Sequence, residues 1–425
     1  MSRRRTAALA LLGGPPAVPA AHARPRVLSR AVTGSAITLV RASRTNADLL
    51  CAHDGHGAVG EFERAFAEAT GARFAVAVSS GTSALLGMLL AHDVHAGDEV
   101  LVNAYGWGSA AGAVRALGGT PVFVDIDDRL GMSAADAAKR ITPRTRAILA
   151  THVHGALVDV MGLRALAADA HIPLLFDGAQ ALGAHWDGEK LGSMGAATAF
   201  SLGRRKLVYA GEGGVVVTQH RTVFERLVVA TQHPLRARVE ASTALLRQRI
   251  DEGSLSSRLH PVAAAIALAQ IPSIEVRAER QRDAGRRILV GIAGCRSFVI
   301  PRRAEGDAVQ TLVLRYVRPR GGPGRLAVVE ALQAEGIPAV IGPVRVPLHR
   351  RRGFRHRPPH DSERQGAPSL PLVERFCREE EIMIEDEGCW MATSARRADA
   401  LARGILKVDA RLAHVRTWEV DHGHS

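Results

Sequence analysis

The length, composition and charge of this chain narrow its class before any motif is considered. Its 425 residues are too many for one ordinary hydrophobic core, so we expect a large domain plus a smaller one. Hydrophobic residues make up 47% and charged residues 23%, which is typical of a soluble globular chain and excludes wholesale disorder. The net charge of +13 comes mostly from scattered arginines, and only 17 residues are aromatic, which argues against a nucleic-acid-binding protein.

Cysteine usage and the N-terminal sequence bear on where the protein works. The four cysteines lack CxxC spacing and nearby paired histidines, so we predict neither a disulfide framework nor a metal site, and a reducing cytoplasm is favoured. They are Cys51, Cys295, Cys377 and Cys389. Residues 1–12 and the Ala-His-Ala triplet at 21–23 imitate a secretory signal, but the apolar run is only six residues long. No stretch reaches the roughly 18 uncharged apolar residues of a membrane helix, so we expect neither export nor membrane insertion.

The predicted elements begin after an N-terminal segment without clear periodicity. Residues 1–55 are rich in Ala, Arg, Gly and Pro, and we expect an irregular N-terminal arm there. A helical pattern then starts at Val59 and ends at Gly71. Beyond it, seven short apolar strands are predicted at residues 75–78, 99–102, 121–124, 146–152, 173–176, 197–202 and 215–218. Helical patterns separate the first five strands, at residues 83–91, 110–117, 133–140 and 163–170.

This alternation predicts a large α/β domain over residues 56–289. Strands that alternate with helices form a mostly parallel sheet, here of seven strands, with helices on both faces, and ligands bind at the carboxyl ends of such strands. The domain is expected to end in a long helical region from Val223 to Leu289. Residues 290–425 mix strands and helices and predict a smaller C-terminal α+β domain. Within it, the basic, proline-containing segment 349–360 is either a solvated surface loop or a mouth that attracts an anionic substrate.

The first feature that carries chemistry is Ser79-Ser-Gly-Thr-Ser-Ala-Leu85, where a strand ends in small residues and a helix begins. Exposed N–H groups and the positive end of the helix favour an anion there, and Thr82 and Ser83 add hydroxyl donors. Because serine and threonine also simply cap helices, the motif alone does not establish a phosphate site. Its spacing matches neither a P-loop nor the dinucleotide GxGxxG motif, which argues against both.

Two further residues point to a cofactor. Asp177 ends a buried strand, where a carboxylate needs either a cationic partner, such as a protonated ring nitrogen, or the N–H groups of a neighbouring loop. Lys206 is one of four lysines in a chain whose other 51 cations are arginine, and arginine cannot become a nucleophile. It alone lies between a short buried strand and the glycine-rich loop Gly211-Glu-Gly-Gly214. A phosphate cradle, a buried carboxylate and a reactive lysine, in this order, are what a pyridoxal phosphate site requires.

These motifs in combination resemble the DegT/DnrJ/StrS aminotransferases, the sugar and cyclitol group of fold-type I pyridoxal phosphate enzymes. The resemblance extends from about Gly57 to the 410s. It is carried by Ser80-Gly-Thr, Asp177-x-x-Gln180, Ser201 five residues before Lys206, Gly211-Glu-Gly-Gly, Tyr105-Gly-Trp-Gly and His152-Val-His-Gly155. A narrower likeness, through Leu12-Gly-Gly-Pro-Pro-Ala17 and Cys389-Trp390, is to members that act on cyclitols or make aminohydroxybenzoate in antibiotic pathways.

The resemblance implies a role for each matching residue. Lys206 is expected to carry the cofactor as an imine and to shuttle protons, while Asp177 keeps the pyridinium nitrogen protonated and Gln180 bonds the phenolic oxygen. Trp107 is expected to stack on the ring face, with a core tryptophan as the alternative. The residues expected to hold the phosphate are Gly81, Thr82 and Ser201. The implied reaction moves an amino group from glutamine or glutamate to a keto-sugar or keto-cyclitol.

The resemblance also implies a homodimer, because the family builds its active site between two subunits. Arg258 or Ser256 of one chain is then expected near the cofactor of the other. Ser256 stands where family members commonly have asparagine, which puts this cross-subunit contact in doubt. A second departure lies at Asn103, where the chain reads Val-Asn-Ala-Tyr rather than Val-Pro-x-Tyr.

Two other interpretations remain at this point. Some relatives are dehydratases with histidine in place of the lysine, and Lys206 argues against that reaction. A pyridoxal-binding regulatory protein without catalysis is the other, and the intact Lys206, Asp177 and Gln180 argue against it. The acceptor stays open among a nucleotide-linked keto-sugar, a keto-cyclitol and an aminoshikimate-type ketone.

Overall fold

The computed structural model describes most of the chain. The described residues are 8–18, 29–51, 53–250, 253–342, 344–355, 368–385 and 393–422. Three features of the sequence lie outside them in whole or in part: the triplet at 21–23, the Cys389-Trp390 pair and residues 356–360 of the basic segment.

Nine strands precede the C-terminal part of the chain, and seven of them form the main sheet. They are β1 (Phe74–Val78), β2 (Glu99–Asn103), β3 (Thr120–Val124), β4 (Thr145–Thr151), β5 (Leu174–Asp177), β6 (His185–Trp186), β7 (Glu189–Lys190), β8 (Ala197–Ser201) and β9 (Gly214–Thr218). β6 and β7 pair only with each other, and the sheet order is β1-β9-β8-β5-β4-β2-β3. Only β9 runs antiparallel to its neighbours. The predicted mostly parallel, seven-stranded sheet is confirmed.

Helices cover both faces of this sheet, as predicted. The helices up to residue 291 are α1 (Arg30–Ala42), α2 (Gly57–Thr70), α3 (Gly81–Ala91), α4 (Ser109–Ala116), α5 (Ala134–Ala138), α6 (Val160–Asp169), α7 (Arg221–Thr231), α8 (Pro234–Glu240), α9 (Ala244–Arg249), α10 (Pro261–Leu268) and α11 (Ile274–Gly291). One apolar core contains side chains of α3, α4 and α7, and the other contains side chains of α2, α6 and α10. Strands buried between two such cores read as continuous apolar runs, which is why the sequence located them. Within the described residues, no helix combines the length and the apolar character needed to cross a bilayer.

The N-terminal segment is more ordered than the sequence predicted. The expectation of an irregular arm is wrong for residues 30–42, which form α1, with Ser29 Oγ accepting a hydrogen bond from the N–H of Val32 at 3.4 Å. Beta-branched residues and Gly34 lower the helix propensity of this stretch, so the pattern was weak. α1 packs against α10, and this tertiary contact stabilises a helix that the local sequence favours little.

The region predicted as long and helical, 223–289, is a series of five helices rather than one. α8 and α10 begin at Pro234 and Pro261, each preceded by a histidine whose ring nitrogen accepts a backbone N–H of the first turn. Residues 253–260 between α9 and α10 are not helical. This irregular stretch contains Ser256 and Arg258, and it runs toward the end of β1.

The C-terminal part of the chain forms a second sheet with its own core. Its strands β10 (Phe298–Val299), β11 (Leu312–Tyr316), β12 (Ala339–Val340) and β13 (Glu381–Ile384) are ordered β10-β11-β13-β12, and every pairing is antiparallel. The helices α12 (Arg325–Ala334), α13 (Arg352–Arg355), α14 (Pro371–Arg375), α15 (Ala395–Asp409) and α16 (Leu412–Asp421) accompany this sheet. Residues 8–18 dock here, because the carboxylate of Glu335 accepts the N–H groups of Ala10 and Ala17 at 2.8 and 2.9 Å.

Candidate active site

The proposed phosphate cradle lies where β1 ends and α3 begins. Ser80 caps α3, with its Oγ accepting the N–H of Ser83 at 3.0 Å. Gly81 packs so closely on Ser201 that a Cβ added there would lie 2.9 Å from the serine Cβ. Gly214 is equally constrained, because its added Cβ would lie 2.2 Å from the carbonyl oxygen of Ser80. Glycine is therefore required at two positions, and Thr82 and the half-buried Ser201 bring hydroxyls to the positive end of α3.

Asp177 lies at the carboxyl end of β5, close to the centre of the sheet edge. It is 6% exposed, and its Oδ1 accepts the N–H of Ala179 at 3.0 Å. Burial raises the pKa of this carboxyl group, and the N–H of Ala179, the charge of Lys206 and the hydroxyl of Thr151 offset only part of that effect. A loop N–H and a nearby cation are thus both present, and the carboxylate is still short of compensating positive charge.

Lys206 follows β8 in a tight turn at the same edge of the sheet. Its N–H donates to the carbonyl oxygen of Gly203 at 3.2 Å, and its neighbour Arg205 has a left-handed backbone with a φ of 65°. The side chain is half-buried, and its positive charge lowers the pKa of Asp177.

The other lysines lie elsewhere. Lys190 Nζ donates to the carbonyl oxygen of Ala69 at 3.1 Å, and Lys407 Nζ lies 2.9 Å from the buried carboxylate of Glu335. Lys139 is the C-terminal cap of α5. Of the four lysines, Lys206 is the one that follows a strand at the carboxyl edge of the main sheet.

The side-chain amide of Gln180 has a defined orientation. The N–H of His154 lies 2.6 Å from Gln180 Oε1. Because a backbone N–H can only donate, the atom facing it must be the amide oxygen, and the NH2 group is the end that remains to donate elsewhere.

Trp107 follows β2, and 66% of its side chain is exposed, so the alternative of a core tryptophan is wrong. The start of the basic segment lies beside it. Leu348 donates its N–H to the carbonyl oxygen of Ala104 at 2.9 Å, and a Cβ added to Gly108 would contact Phe354 at 3.7 Å. Residues 348–354 therefore lie at the carboxyl end of β2, the same edge of the sheet as Asp177.

Ser256 and Arg258 lie beside the cradle of their own chain. The N–H of Ser79 donates to the carbonyl oxygen of Ser257 at 2.7 Å, and Arg258 forms an antiparallel bridge with Val78. Ser256 has a φ of 46°, a left-handed conformation that asparagine adopts more readily than serine. Whether either residue also approaches a partner's cofactor stays a prediction.

Asn103, which had no account from the sequence, extends the pairing of β2 with β4. Its Oδ1 accepts the N–H of Thr151 at 2.9 Å, and its Nδ2 donates to the carbonyl oxygen of the same residue at 3.3 Å. Thr151 is in turn the strand partner of Asp177. A proline at position 103 has no side-chain amide to make these two bonds.

Sequence reasoning did not find a role for three buried residues next to this site. The hydroxyl of Tyr105 lies 2.6 Å from His154 Nε2 and donates to Glu381 Oε1 at 2.5 Å. Burial lowers the pKa of His154 to about 3, so its ring is neutral, and burial raises the pKa of Glu381 to about 7. Tyr105 and His154 lie in motifs that the sequence analysis identified. No sequence motif pointed to Glu381, which is 276 residues from Tyr105.

Comparisons with known proteins identify the family of the chain. A family profile described as the DegT/DnrJ/EryC1/StrS aminotransferase family matches residues 53–380. The L-glutamine:2-deoxy-scyllo-inosose aminotransferase of Streptomyces lividus is 33% identical over an alignment of 310 residues, and the match covers 68% of this chain and 70% of that protein.

Solved structures share the fold. DesI, crystallised in the presence of its TDP-sugar product, is similar with a TM-score of 0.75 at 25% identity, covering 98% of this chain and 99% of its own. 3-Amino-5-hydroxybenzoic acid synthase gives 0.73 at 24% identity, covering 93% and 100%. The predicted fold class and enzyme class are confirmed, and the chain belongs to the DegT/DnrJ/EryC1/StrS aminotransferase family.

Proposed function

We propose that this aminotransferase uses pyridoxal 5′-phosphate to move an amino group from glutamine to the ketone of a keto-cyclitol, as a step in secondary-metabolite biosynthesis. The observation that carries the proposal is that Lys206, whose charge lowers the pKa of the buried carboxyl group of Asp177, follows a strand at the same sheet edge as Asp177 and the cradle around Gly81. A reactive amine, a partner for a protonated ring nitrogen and an anion site therefore lie together.

The residues present fit this cofactor. The cradle is packed so tightly at Gly81 and Gly214 that a Cβ fits at neither position, and this packing brings the hydroxyl of Ser201 against the N-terminus of α3, where a phosphate is favoured. Asp177 is a buried carboxylate with too little positive charge around it, and a pyridinium nitrogen supplies that charge. When bound, the cofactor supplies an electron sink that lets the carbon bearing the amine lose its proton.

Each site residue then has a defined role. Lys206 would bind the cofactor and move the proton, Asp177 would hold a proton on the ring nitrogen, and the NH2 group of Gln180 would donate a hydrogen bond to the phenolic oxygen. Trp107 covers one face of the ring. The phosphate is held by Gly81, Thr82 and Ser201.

The choice of substrates is supported by the relative from Streptomyces lividus, whose name gives glutamine as donor and 2-deoxy-scyllo-inosose as acceptor. Glutamate as donor and a nucleotide-linked keto-sugar as acceptor are the second candidates, the latter supported by the TDP-sugar product named with DesI. An aminohydroxybenzoate-type reaction has only a likeness of fold behind it. A dehydratase is disfavoured by the lysine at position 206, and a regulatory protein by the intact catalytic set.

A two-fold homodimer is also proposed, with Ser256 or Arg258 of one chain near the cofactor of its partner. Large apolar side chains on residues 235–255 are exposed in the single chain, and burying them favours association. They are Leu235, Val239, Leu245 and Leu255. Arg258 Nε is buried and has no hydrogen-bond partner among the described residues. The described residues include three free cysteines, Cys51, Cys295 and Cys377. The cytoplasm remains the compartment predicted from the sequence.

The function is tested by absorbance spectroscopy of the purified protein loaded with pyridoxal phosphate. Glutamine should convert the cofactor to its amine form, and adding 2-deoxy-scyllo-inosose should restore the starting spectrum and yield the aminated cyclitol. Lys206→Ala is the control that should show neither change. A band that stays unchanged with glutamine and with glutamate would instead favour a regulatory protein.

A further inference from the structure

A chain of short hydrogen bonds connects the C-terminal sheet to Gln180. It begins at Glu381 on β13, passes through the hydroxyl of Tyr105 at 2.5 Å, and continues to His154 Nε2 at 2.6 Å. The backbone N–H of His154 then donates to Gln180 Oε1 at 2.6 Å. Glu381, Tyr105 and His154 are buried, so water does not compete for these bonds.

The direction of each hydrogen bond follows from counting protons. Above about pH 7, where Glu381 is ionised, the hydroxyl of Tyr105 donates its one proton to the Glu381 carboxylate. Its oxygen must then accept from His154, so the proton of the neutral imidazole is on Nε2. Glu381 Oε2 is buried without a hydrogen-bond partner among the described residues, so the hydrogen bond to Tyr105 is the one its carboxylate makes there. Arg325 contributes a nearby positive charge, but its Nη1 donates to the backbone carbonyl oxygen of Glu381.

His154 needs such support because its backbone is strained. Its φ is 58°, in the left-handed region that a residue with a side chain rarely adopts, and this turn aims its N–H at Gln180. Gly155 follows with a φ of 88°, and a Cβ there would lie 2.9 Å from the backbone oxygen of Gln180. The turn is held by the Tyr105 contact on the ring and by the N–H of Gln310, which donates to the His154 carbonyl at 3.2 Å.

We propose that Glu381, Tyr105 and His154 are positioning residues that lock the amide of Gln180, with its NH2 group directed at the phenolic oxygen of the cofactor. Because Glu381 belongs to the C-terminal sheet, the orientation of an active-site donor depends on the contact of that sheet with Tyr105, which follows β2. This inference rests on the proposed function, since it assigns Gln180 to the cofactor.

The first test compares two buried tyrosines. Tyr105→Phe removes the hydroxyl that joins Glu381 to His154 and keeps the ring that packs on Phe376 at 5.1 Å. The matched control is Tyr316→Phe, which removes a buried hydroxyl donating to the carbonyl of Pro323 at 2.9 Å, away from this chain of bonds. Both variants should lose thermal stability, so stability does not separate them.

Two measurements distinguish the variants. The first is the affinity of the apo-protein for pyridoxal phosphate, and the second is the pH midpoint of the transition in the absorbance band of the bound cofactor. Tyr105→Phe should weaken the affinity about tenfold, the effect of one lost hydrogen bond of ordinary strength. It should also move the midpoint upward, because a phenolic oxygen that loses its donor becomes more basic. Tyr316→Phe should change neither quantity. Equal behaviour of the two variants would overturn the proposal.

A second pair of variants keeps the proposal testable if Tyr105→Phe folds poorly. Glu381→Gln and Glu381→Leu both remove the charge, but only glutamine keeps an oxygen that can accept from Tyr105. The proposal expects the upward shift of the midpoint in the leucine variant and a smaller one in the glutamine variant. The same shift in both would overturn the proposal.

Gln180→Ala separates a failure of this inference from a failure of the proposed function. Combined with Tyr105→Phe, it should weaken cofactor binding no further than it does alone, because the Tyr105 hydroxyl acts only through the amide that Gln180→Ala removes. If Gln180→Ala leaves the midpoint unchanged, the assignment of Gln180 to the cofactor is wrong. If Gln180→Ala moves the midpoint and Tyr105→Phe does not, the assignment stands and the positioning role is wrong.

Discussion

Glu381 makes the stability of the protein depend on pH. Its side chain is 0% exposed, and burial raises its pKa to about 7 from an ordinary value of 4.5, against the opposing effects of Tyr105 and Arg325. The nearby Cys377 thiol has a raised pKa and stays neutral over this range. Between pH 4.5 and about pH 7, Glu381 is protonated in the native state and ionised in the unfolded chain. The stability from this proton is therefore complete below about pH 4.5 and is lost as the pH rises to about 7.

The size of the effect follows from the shift. At about 1.4 kcal/mol per pKa unit, a rise from 4.5 to about 7 corresponds to about 3 kcal/mol. Glu381→Gln has no proton to release, so it should gain about 2 to 3 kcal/mol over the wild type between about pH 5 and about pH 8. Other titrating groups contribute equally to both proteins and cancel in the difference.

The assay is urea unfolding of the apo-protein across this pH range, followed by near-ultraviolet circular dichroism. The matched control is Glu305→Gln, which makes the same substitution at an exposed glutamate. Its stability should depend on pH as that of the wild type does. Parallel stability curves for Glu381→Gln and the wild type would refute the reasoning, because they would mean that Glu381 is already ionised in the native state at low pH.

Four further outcomes are expected. Lys206→Ala should fold but form no imine and turn over no substrate, as checked by borohydride reduction and peptide mapping; an imine on another lysine would contradict this. Asp177→Asn should slow transamination by about 10²–10⁴-fold, the loss typical of a positioned proton partner, and a near-normal rate would show the carboxylate to be structural. Asn103→Ala should lower the free energy of urea unfolding by about 1–3 kcal/mol, because both main-chain groups of Thr151 lose their partner, and unchanged stability would contradict the pairing. Light scattering at micromolar concentration should give the mass of a dimer, and a fully active monomer would exclude a shared site at Arg258.

The sequence by itself determined the main sheet and the chemical core of the site. Each parallel strand is buried on both faces, so its apolar run is visible locally, and the alternation with helices follows from the same physics. Asp177 and Lys206 could be recognised from the local sequence. A carboxylate at the end of a buried strand requires a partner, and a lysine is rare in this arginine-rich chain. The cradle at Gly81 was visible as a strand that ends in small residues.

Only the tertiary structure decided how distant residues support that site. α1 depends on its contact with α10, and β6 and β7 have two residues each, so neither left a periodic signal. Trp107 was expected on the ring face with a core position as the alternative, and its exposure was decided only by the structure after the end of β2. Glu381 contacts Tyr105, which is 276 residues away in the sequence. The side-chain amide of Asn103 bonds both main-chain groups of Thr151 and so extends the pairing of β2 with β4. Such pairs carry no spacing of their own, because the contact exists only after elements that are distant in sequence have formed and packed together.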